Sequence, residues 1–263
     1  MTIVLSHLQV WPLLAGIKEG KTSLTISPDL GISQIEVTLD QQGVCFPSGE
    51  IASWEDLHEV AKAEVSCFSL DDDGKLRKIQ IFSEQTGRFY SLMPTRGAPT
   101  MLLSGIPMHR IKDIDPHQDT LLKIQTIKPV VGAVLDTTMG LGYTAIEAAR
   151  TAAMVTTVEL DPAVVILAAQ NPWSHELFNN PKINQITGDS FDVISTFADG
   201  TFSRIIHDPP MFSLAGDLYS GEFYRQLYRV MKYNGRLFHY IGDLDSTSGS
   251  RTAKGASRRL EEA

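Results

Sequence analysis

The stretch from Val134 to Arg150 restricts the fold of this chain more than any other. Its apolar run ends in Asp136, Gly140 and Gly142 follow, and Tyr143 to Ala149 then reads as a helix. A strand, a glycine turn and a helix in that order make the opening unit of a nucleotide-binding α/β sheet. Glycine suits the turn because a Cβ would hold the backbone away from a ligand. The acid four residues ahead of Gly140 narrows the choice of ligand. A loop that holds a pyrophosphate wants backbone N–H groups around it, whereas a carboxylate there suits a cation.

Gly140-Leu-Gly-Tyr-Thr-Ala145 also satisfies the G-x-G-x-x-A spacing of a dinucleotide site, and Glu159 falls where its ribose-binding acid would stand. NAD is therefore the rival ligand. Three later segments, in order, favour another. Val155 to Glu159 reads as a second strand, with Glu159 at its tip to accept both ribose hydroxyls and Asp161-Pro162 opening a helix. Ile183 to Phe191 reads as a third strand and its exit, with Asp189 placed to accept from an adenine amino group. Arg204 to Phe212 reads as a fourth strand that ends in Asp208-Pro209-Pro210. Such sheets bind ligands outside the carboxyl ends of their strands, so these acids are expected to line one crevice. A cluster of acids fits S-adenosylmethionine, whose sulfonium and amino groups are positive.

From about Asp115 onward the chain resembles the class I S-adenosylmethionine-dependent methyltransferases, and within them an archaeal family of predicted methyltransferases. The Asp136-x-x-x-Gly140-x-Gly142 loop with Ile146 to Ala149 carries this resemblance. So does Asp208-Pro209-Pro210, which is similar to the Asp/Asn-Pro-Pro-aromatic motif of enzymes that methylate amino groups of nucleic-acid bases. Two positions depart from the pattern. Thr138 stands where many of these enzymes have glycine, and Met211 takes the place of the aromatic, with Phe212 one residue late. The resemblance implies an α/β fold with a Rossmann-like sheet of about five parallel strands. It implies a cofactor site of Asp136, Thr138, Gly140, Gly142, Glu159, Leu160, Asp189 and Ser190. It also implies a catalytic Asp208 with Pro209 and Pro210, beside an acceptor pocket formed by Met211, Phe212 and Tyr219.

Methyl transfer from a sulfonium is an in-line displacement, so catalysis is chiefly the positioning of an acceptor lone pair. A carboxylate and a nearby carbonyl can both accept from an amino group and turn its lone pair toward the methyl carbon. Two prolines stiffen the strand exit and offer no N–H to compete for those acceptors. Asp208 is thus expected to orient the amine or accept its proton. The acceptor classes are an RNA base, a protein side chain or a small amine. Leu218 to Tyr224 also resembles spermidine-synthase-like aminopropyltransferases, which use decarboxylated S-adenosylmethionine. Their extra acid between the glycines is absent here. A binding module without catalysis is the third class, and the retained acids speak against it.

Composition bounds the rest. The chain has 263 residues, with 23 basic against 31 acidic and a formal charge of −8. That balance disfavours indiscriminate phosphate binding. Cys45 and Cys67 are the two cysteines, without metal-ligand spacing, and none of the seven histidines forms a metal constellation with a neighbour. No metal is expected. The short apolar segment from Val10 to Ile17 is broken by Pro12 and cannot span a bilayer, so a cytoplasmic protein is expected. Residues 1–108 read as a small α+β domain and residues 109–263 as the cofactor-binding domain. In the first, Ser6 caps a helix to Lys18 and Trp54 to Ala63 is helical. Seven strands are expected at Ser23–Ile26, Gln34–Leu39, Gly43–Phe46, Val65–Leu70, Lys78–Phe82, Arg88–Leu92 and Thr100–Ser104. Hairpin turns fall at Asp40 to Gly43 and Asp71 to Gly74. Substrate selection or dimer contact is the expected role of this module. In the second domain, Asp115 caps a helix that runs through Leu121, Leu122 and Ile124, and His117 and Asp119 are second-tier site candidates. A helix from Glu222 to Met231, a turn at Asn234-Gly235, a fifth strand from Arg236 to Ile241 and a last helix from Thr252 to Glu262 close the chain. The terminal hairpin usual in such enzymes is expected to be missing, which leaves the fifth strand at an exposed edge.

Overall fold

The computed structural model describes residues 2–242 and 247–263. The chain folds as two compact units, one of residues 1–119 with 163–175 and one of residues 120–162 with 176–263. None of the helices among the described residues is long and apolar enough to cross a membrane.

The first unit is built from short antiparallel sheets. Its opening helix, His7–Lys18, starts at a reciprocal cap in which Ser6 and Gln9 satisfy each other's end of the first turn. Trp54–Lys62 forms the second helix, capped by Ser53. Ser23–Ile26, Ile35–Leu39, Gly43–Cys45 and Ile51–Ser53 pair in sequence order as one four-stranded sheet. A second sheet orders Ile106–Pro107, Thr100–Leu103, Arg88–Met93 and Gln80–Ser83. A three-stranded sheet joins Val4–Leu5, Phe68–Leu70 and Leu76–Lys78. Leu5, Val10, Leu13, Val44, Leu57 and Val60 fill the core between helices and strands. Both hairpin turns lie where Asp40 to Gly43 and Asp71 to Gly74 put them. The strands that sequence reading misses are two or three residues long, too short to show an alternating pattern.

The second unit carries a five-stranded, all-parallel sheet. In chain order its strands are Ala133–Asp136, Met154–Glu159, Ile183–Thr187, Phe202–His207 and Met231–His239. In space they run third, second, first, fourth, fifth, the order of a doubly wound Rossmann-like sheet with its switch point between the first and fourth strands. Asp136 pairs with Thr157 on one side and Ile206 on the other, so Asp208 leaves the sheet beside it. Phe223, Tyr224, Leu227 and Val230 on the helix Gly221–Val230 pack against the sheet with Leu135, Val158 and Ile205.

Two boundaries differ from expectation. The fifth strand begins at Met231, directly after the helix, and the expected turn survives as an excursion inside it. Phe202 pairs with Met231 and Arg204 with Arg236, and Asn234 takes a φ of 63° in between. The last helix is longer, Thr247–Glu261, and buries Ala256 in the core shared with the helix before it. Among the described residues the fifth strand is one edge of the sheet and the third strand the other.

Gly43 sits where two antiparallel neighbours approach too closely for a side chain, since a Cβ there would stand 2.0 Å from the Ala52 carbonyl oxygen. Gly43→Ala is expected to destabilise the protein by roughly 2 kcal/mol or more, read from the urea midpoint at unchanged slope. A midpoint like that of the parent would show that this approach relaxes freely.

Candidate active site

The glycine loop is held from both flanks by acids. Asp136 is fully buried at the tip of the first strand. Its Oδ2 accepts from the Thr157 hydroxyl at 2.9 Å and the Thr144 hydroxyl at 3.1 Å. Oδ1 has no hydrogen-bond partner, nor does the buried Thr138 Oγ1 two residues on. Burial pushes the Asp136 carboxyl up to about 7, against the pull of the two hydroxyl donors. On the other flank, half-buried Glu159 accepts the Gly140 N–H at 2.9 Å and the Asp161 N–H at 3.1 Å. Burial raises it too, to about 7.

Between the acids the backbone is open. Gly140 has a φ of 53°, and no atom lies within 4 Å of where its Cβ would stand. Gly142 serves a different end, with a φ of 77° and a Cβ position 2.6 Å from a Leu177 methyl. The first glycine leaves room for a ligand, and the second lets the helix Tyr143–Ala149 start against Leu177. Unpartnered buried oxygens beside an open glycine are the features a cationic ligand would complete.

The remaining sequence candidates divide. Asp189 is exposed at the exit of the third strand, where Oδ1 caps the Phe191 N–H at 2.8 Å. Leu160 is 46% exposed next to Glu159. Ser190, expected to touch the cofactor, instead donates its buried hydroxyl to the Thr137 carbonyl. Asp208 is half-buried, followed by buried Pro209 and by Met211 and Phe212, both exposed. Tyr219, expected as a pocket wall, is buried and donates to the Pro210 carbonyl at 3.0 Å, with the Phe212 ring edge-on to it at 5.5 Å. It supports the loop, and it uses a carbonyl that an amine would otherwise find.

His207 is structural, as alternation along the strand suggests. It is fully buried, and burial with the nearby His239 holds its imidazole neutral. Its Nε2 lies 2.9 Å from the Leu218 carbonyl and must carry the proton, so Nδ1 accepts from the Thr137 hydroxyl at 2.7 Å. In the first unit, Asp115 caps the helix Pro116–Thr126 as expected, His117 rests on the Trp173 ring, and Asp119 meets Arg110 at 3.4 Å.

Sequence reading misses Lys123. In its helix Leu121 and Leu122 are exposed while Thr120, Lys123 and Ile124 are buried, as is Ile127 just past its end. Lys123 Nζ lies 2.7 Å from Asp208 Oδ2, with only 8% and 19% of the two side chains exposed. The spacing of Thr120, Lys123, Ile124 and Ile127 was the available signal: a lysine on an otherwise buried stripe needs a partner.

The strand order and the glycine loop define a Rossmann-like sheet. The sequence is 47% identical over 217 residues to the uncharacterized protein MJ1233 of Methanocaldococcus jannaschii, across 82% of this chain and 73% of that one. The chain belongs to the family of that archaeal protein. No family model matches it. A shorter likeness, 30% over 98 residues, covers 35% of this chain and 18% of polyamine aminopropyltransferase 2 of Streptomyces coelicolor. Among solved structures, a spermidine synthase in complex with the transition-state analogue AdoDATO superposes with a TM-score of 0.60 at 22% identity, over 70% of this chain and 64% of that one. The spermidine synthase of Thermotoga maritima gives 0.57 at 21%, over 70% and 63%. These two likenesses show the fold, and the chain spans less than two thirds of either enzyme.

Asp136 binds a proton more tightly folded than unfolded, where its value is about 3.9. The stability tied to this group is therefore complete below about pH 4 and is lost as pH rises through about 7. Asp136→Asn is expected to melt near the parent at pH 4 and above it at pH 8. A variant that melts below the parent at pH 8 would contradict the assigned burial cost.

Proposed function

We propose that this chain is a transferase that binds S-adenosylmethionine and moves its methyl group to an amino nitrogen. The residues fit that cofactor. Asp136 Oδ1 and Thr138 Oγ1 await partners, Gly140 leaves backbone room, and Glu159 has lone pairs left for ribose hydroxyls. Asp189 has an oxygen beyond its cap for an adenine amino group. Leu160 and Gly142 complete the cradle, one as an apolar wall and one as the start of the helix. When bound, S-adenosylmethionine supplies a methyl carbon made electrophilic by the adjoining sulfonium.

The observation that carries methyl transfer is the Lys123–Asp208 pair at 2.7 Å. The contact fixes the Asp208 carboxylate as a hydrogen-bond acceptor at the exit of the fourth strand. Such a group can orient an amino group whose lone pair is delocalised into a ring, as in the exocyclic amine of a heterocyclic base, so that the lone pair becomes available. It accepts one N–H, turns the lone pair toward the methyl carbon, and receives the proton released as the new N–C bond forms. Pro209 and Pro210 hold the exit from the strand rigid, and Met211 and Phe212 offer exposed apolar surface to the acceptor.

Aminopropyl transfer is the second reading. The spermidine synthase fold and the 98-residue likeness to an aminopropyltransferase support it. Labelled S-adenosylmethionine and its decarboxylated form, offered in parallel with RNA, small amines and polyamines, separate the two. Label moved from the intact donor to an amino nitrogen is the expected result. Aminopropylated polyamine would give the second reading first place. Asp208→Ala is expected to lower transfer by about two to three orders of magnitude and to leave donor affinity within about threefold. Substantial turnover in that variant, or collapse of donor binding, would remove Asp208 from the acceptor role.

A further inference from the structure

The fifth strand carries two different faces. Leu237 packs into the core shared with the helix Gly221–Val230, and His239 Nε2 lies 2.9 Å from the Tyr224 hydroxyl on that helix. Side chains alternate along a strand, so Arg236, Phe238 and Tyr240 take the other face. The pairing runs on to Tyr240, whose N–H donates to the His207 carbonyl at 2.9 Å. This row ends at the site, since the Tyr240 ring centre lies 5.1 Å from Lys123 Nζ, which meets Asp208. It begins at a cluster of cations. Arg236 stands in register with Arg204 and donates to the carbonyl of exposed Lys128. The excursion before it presents exposed Lys232 and the Tyr233 ring, which is 95% exposed. The charged residues from Phe223 to Gly242 are all basic. Among the described residues no carboxylate pairs with Lys128, Lys232 or Arg236.

We propose that this row is a track for single-stranded nucleic acid, which holds backbone phosphates at Lys128, Lys232 and Arg236 and leads an unpaired base past Phe238 and Tyr240 to Asp208. The inference rests on the acceptor proposed above, the amine of a heterocyclic base. Cations alone would suit any anionic polymer or surface. Aromatic side chains between them and the site select a partner that carries planar groups as well as charge, because every base has a face to stack. Alternate residues of a strand lie roughly 6.6 Å apart, so Phe238 and Tyr240 offer separate faces to successive bases. Arg236 is roughly 13 Å from Tyr240 along the strand, a gap that a few nucleotides cross. Arg204 beside Arg236 sets like charges side by side, which is unfavourable and which a phosphate offsets. On a chain of formal charge −8, such binding is confined to a local basic face.

Fluorescence anisotropy of a labelled single-stranded RNA oligonucleotide with the full chain tests this, with melting curves to verify folding and S-adenosylmethionine titration of each variant alongside. The parent is expected to bind with an affinity that falls steeply as salt rises. Lys232→Glu combined with Arg236→Gln should weaken binding by about tenfold or more and flatten the salt dependence. Tyr233→Ala, at an exposed position, should weaken it by about fivefold or more at unchanged salt dependence, and Phe238→Leu should act in the same direction. All of these should bind the donor like the parent. RNA affinity that none of the variants moves overturns the inference while donor binding stands. So does a parent that binds no RNA at low salt, whether or not it sediments with phosphatidylserine vesicles. RNA that is held through these residues yet receives no label from the donor supports the track and removes the nucleic-acid base as acceptor.

Discussion

A carboxylate without water around it governs the carboxyl end of the parallel sheet. Asp136 is buried because parallel pairing sets strands on both sides of it, with Thr157 in register on one and Ile206 on the other. Two hydroxyls satisfy one of its oxygens, and the other is left over. Those same hydroxyls tie the first strand to the second and to the helix after the glycine loop. Glu159 closes the loop from the far flank through the Gly140 N–H. The loop is therefore preformed in shape and incomplete in charge, with both acids held near 7 where a cation can draw out their ionised forms. A pyrophosphate would meet the opposite conditions.

The polar groups behind the loop contrast with those in front of it. His207, Thr137, Ser190 and Tyr219 are buried, and their ring nitrogens and hydroxyls are matched to protein acceptors and donors. They hold the exits of the first and fourth strands in place. Asp136 Oδ1 and Thr138 Oγ1 keep capacity that the protein does not use up. That division between satisfied support and unfinished acceptors separates scaffold from site more sharply than residue type does.

Much of this was legible in the sequence, for a physical reason. Strands buried on both faces read as apolar runs, and each run ends in a polar residue at Asp136, Glu159 and Asp208. The glycine loop declares itself by two residues that need positive φ. Tertiary pairing was not legible. The helix exposes Leu121 and Leu122 and buries Lys123, because Asp208 is there to neutralise it. Ser190 and Tyr219 look like site residues from their neighbours in sequence, and only the fold reveals that backbone carbonyls occupy their hydroxyls. Strands of two or three residues in the first unit carry too little pattern to be seen.

Calorimetric titration of the chain with S-adenosylmethionine and, separately, with NAD bears most directly on the central claim that acids bracket the glycine loop to hold a cation. The expected result is saturable one-to-one binding of S-adenosylmethionine that tightens from pH 6 to pH 8, as Asp136 and Glu159 lose their protons, with no heat from NAD. Tight binding of NAD alone, or binding of S-adenosylmethionine that weakens over that range, would contradict it.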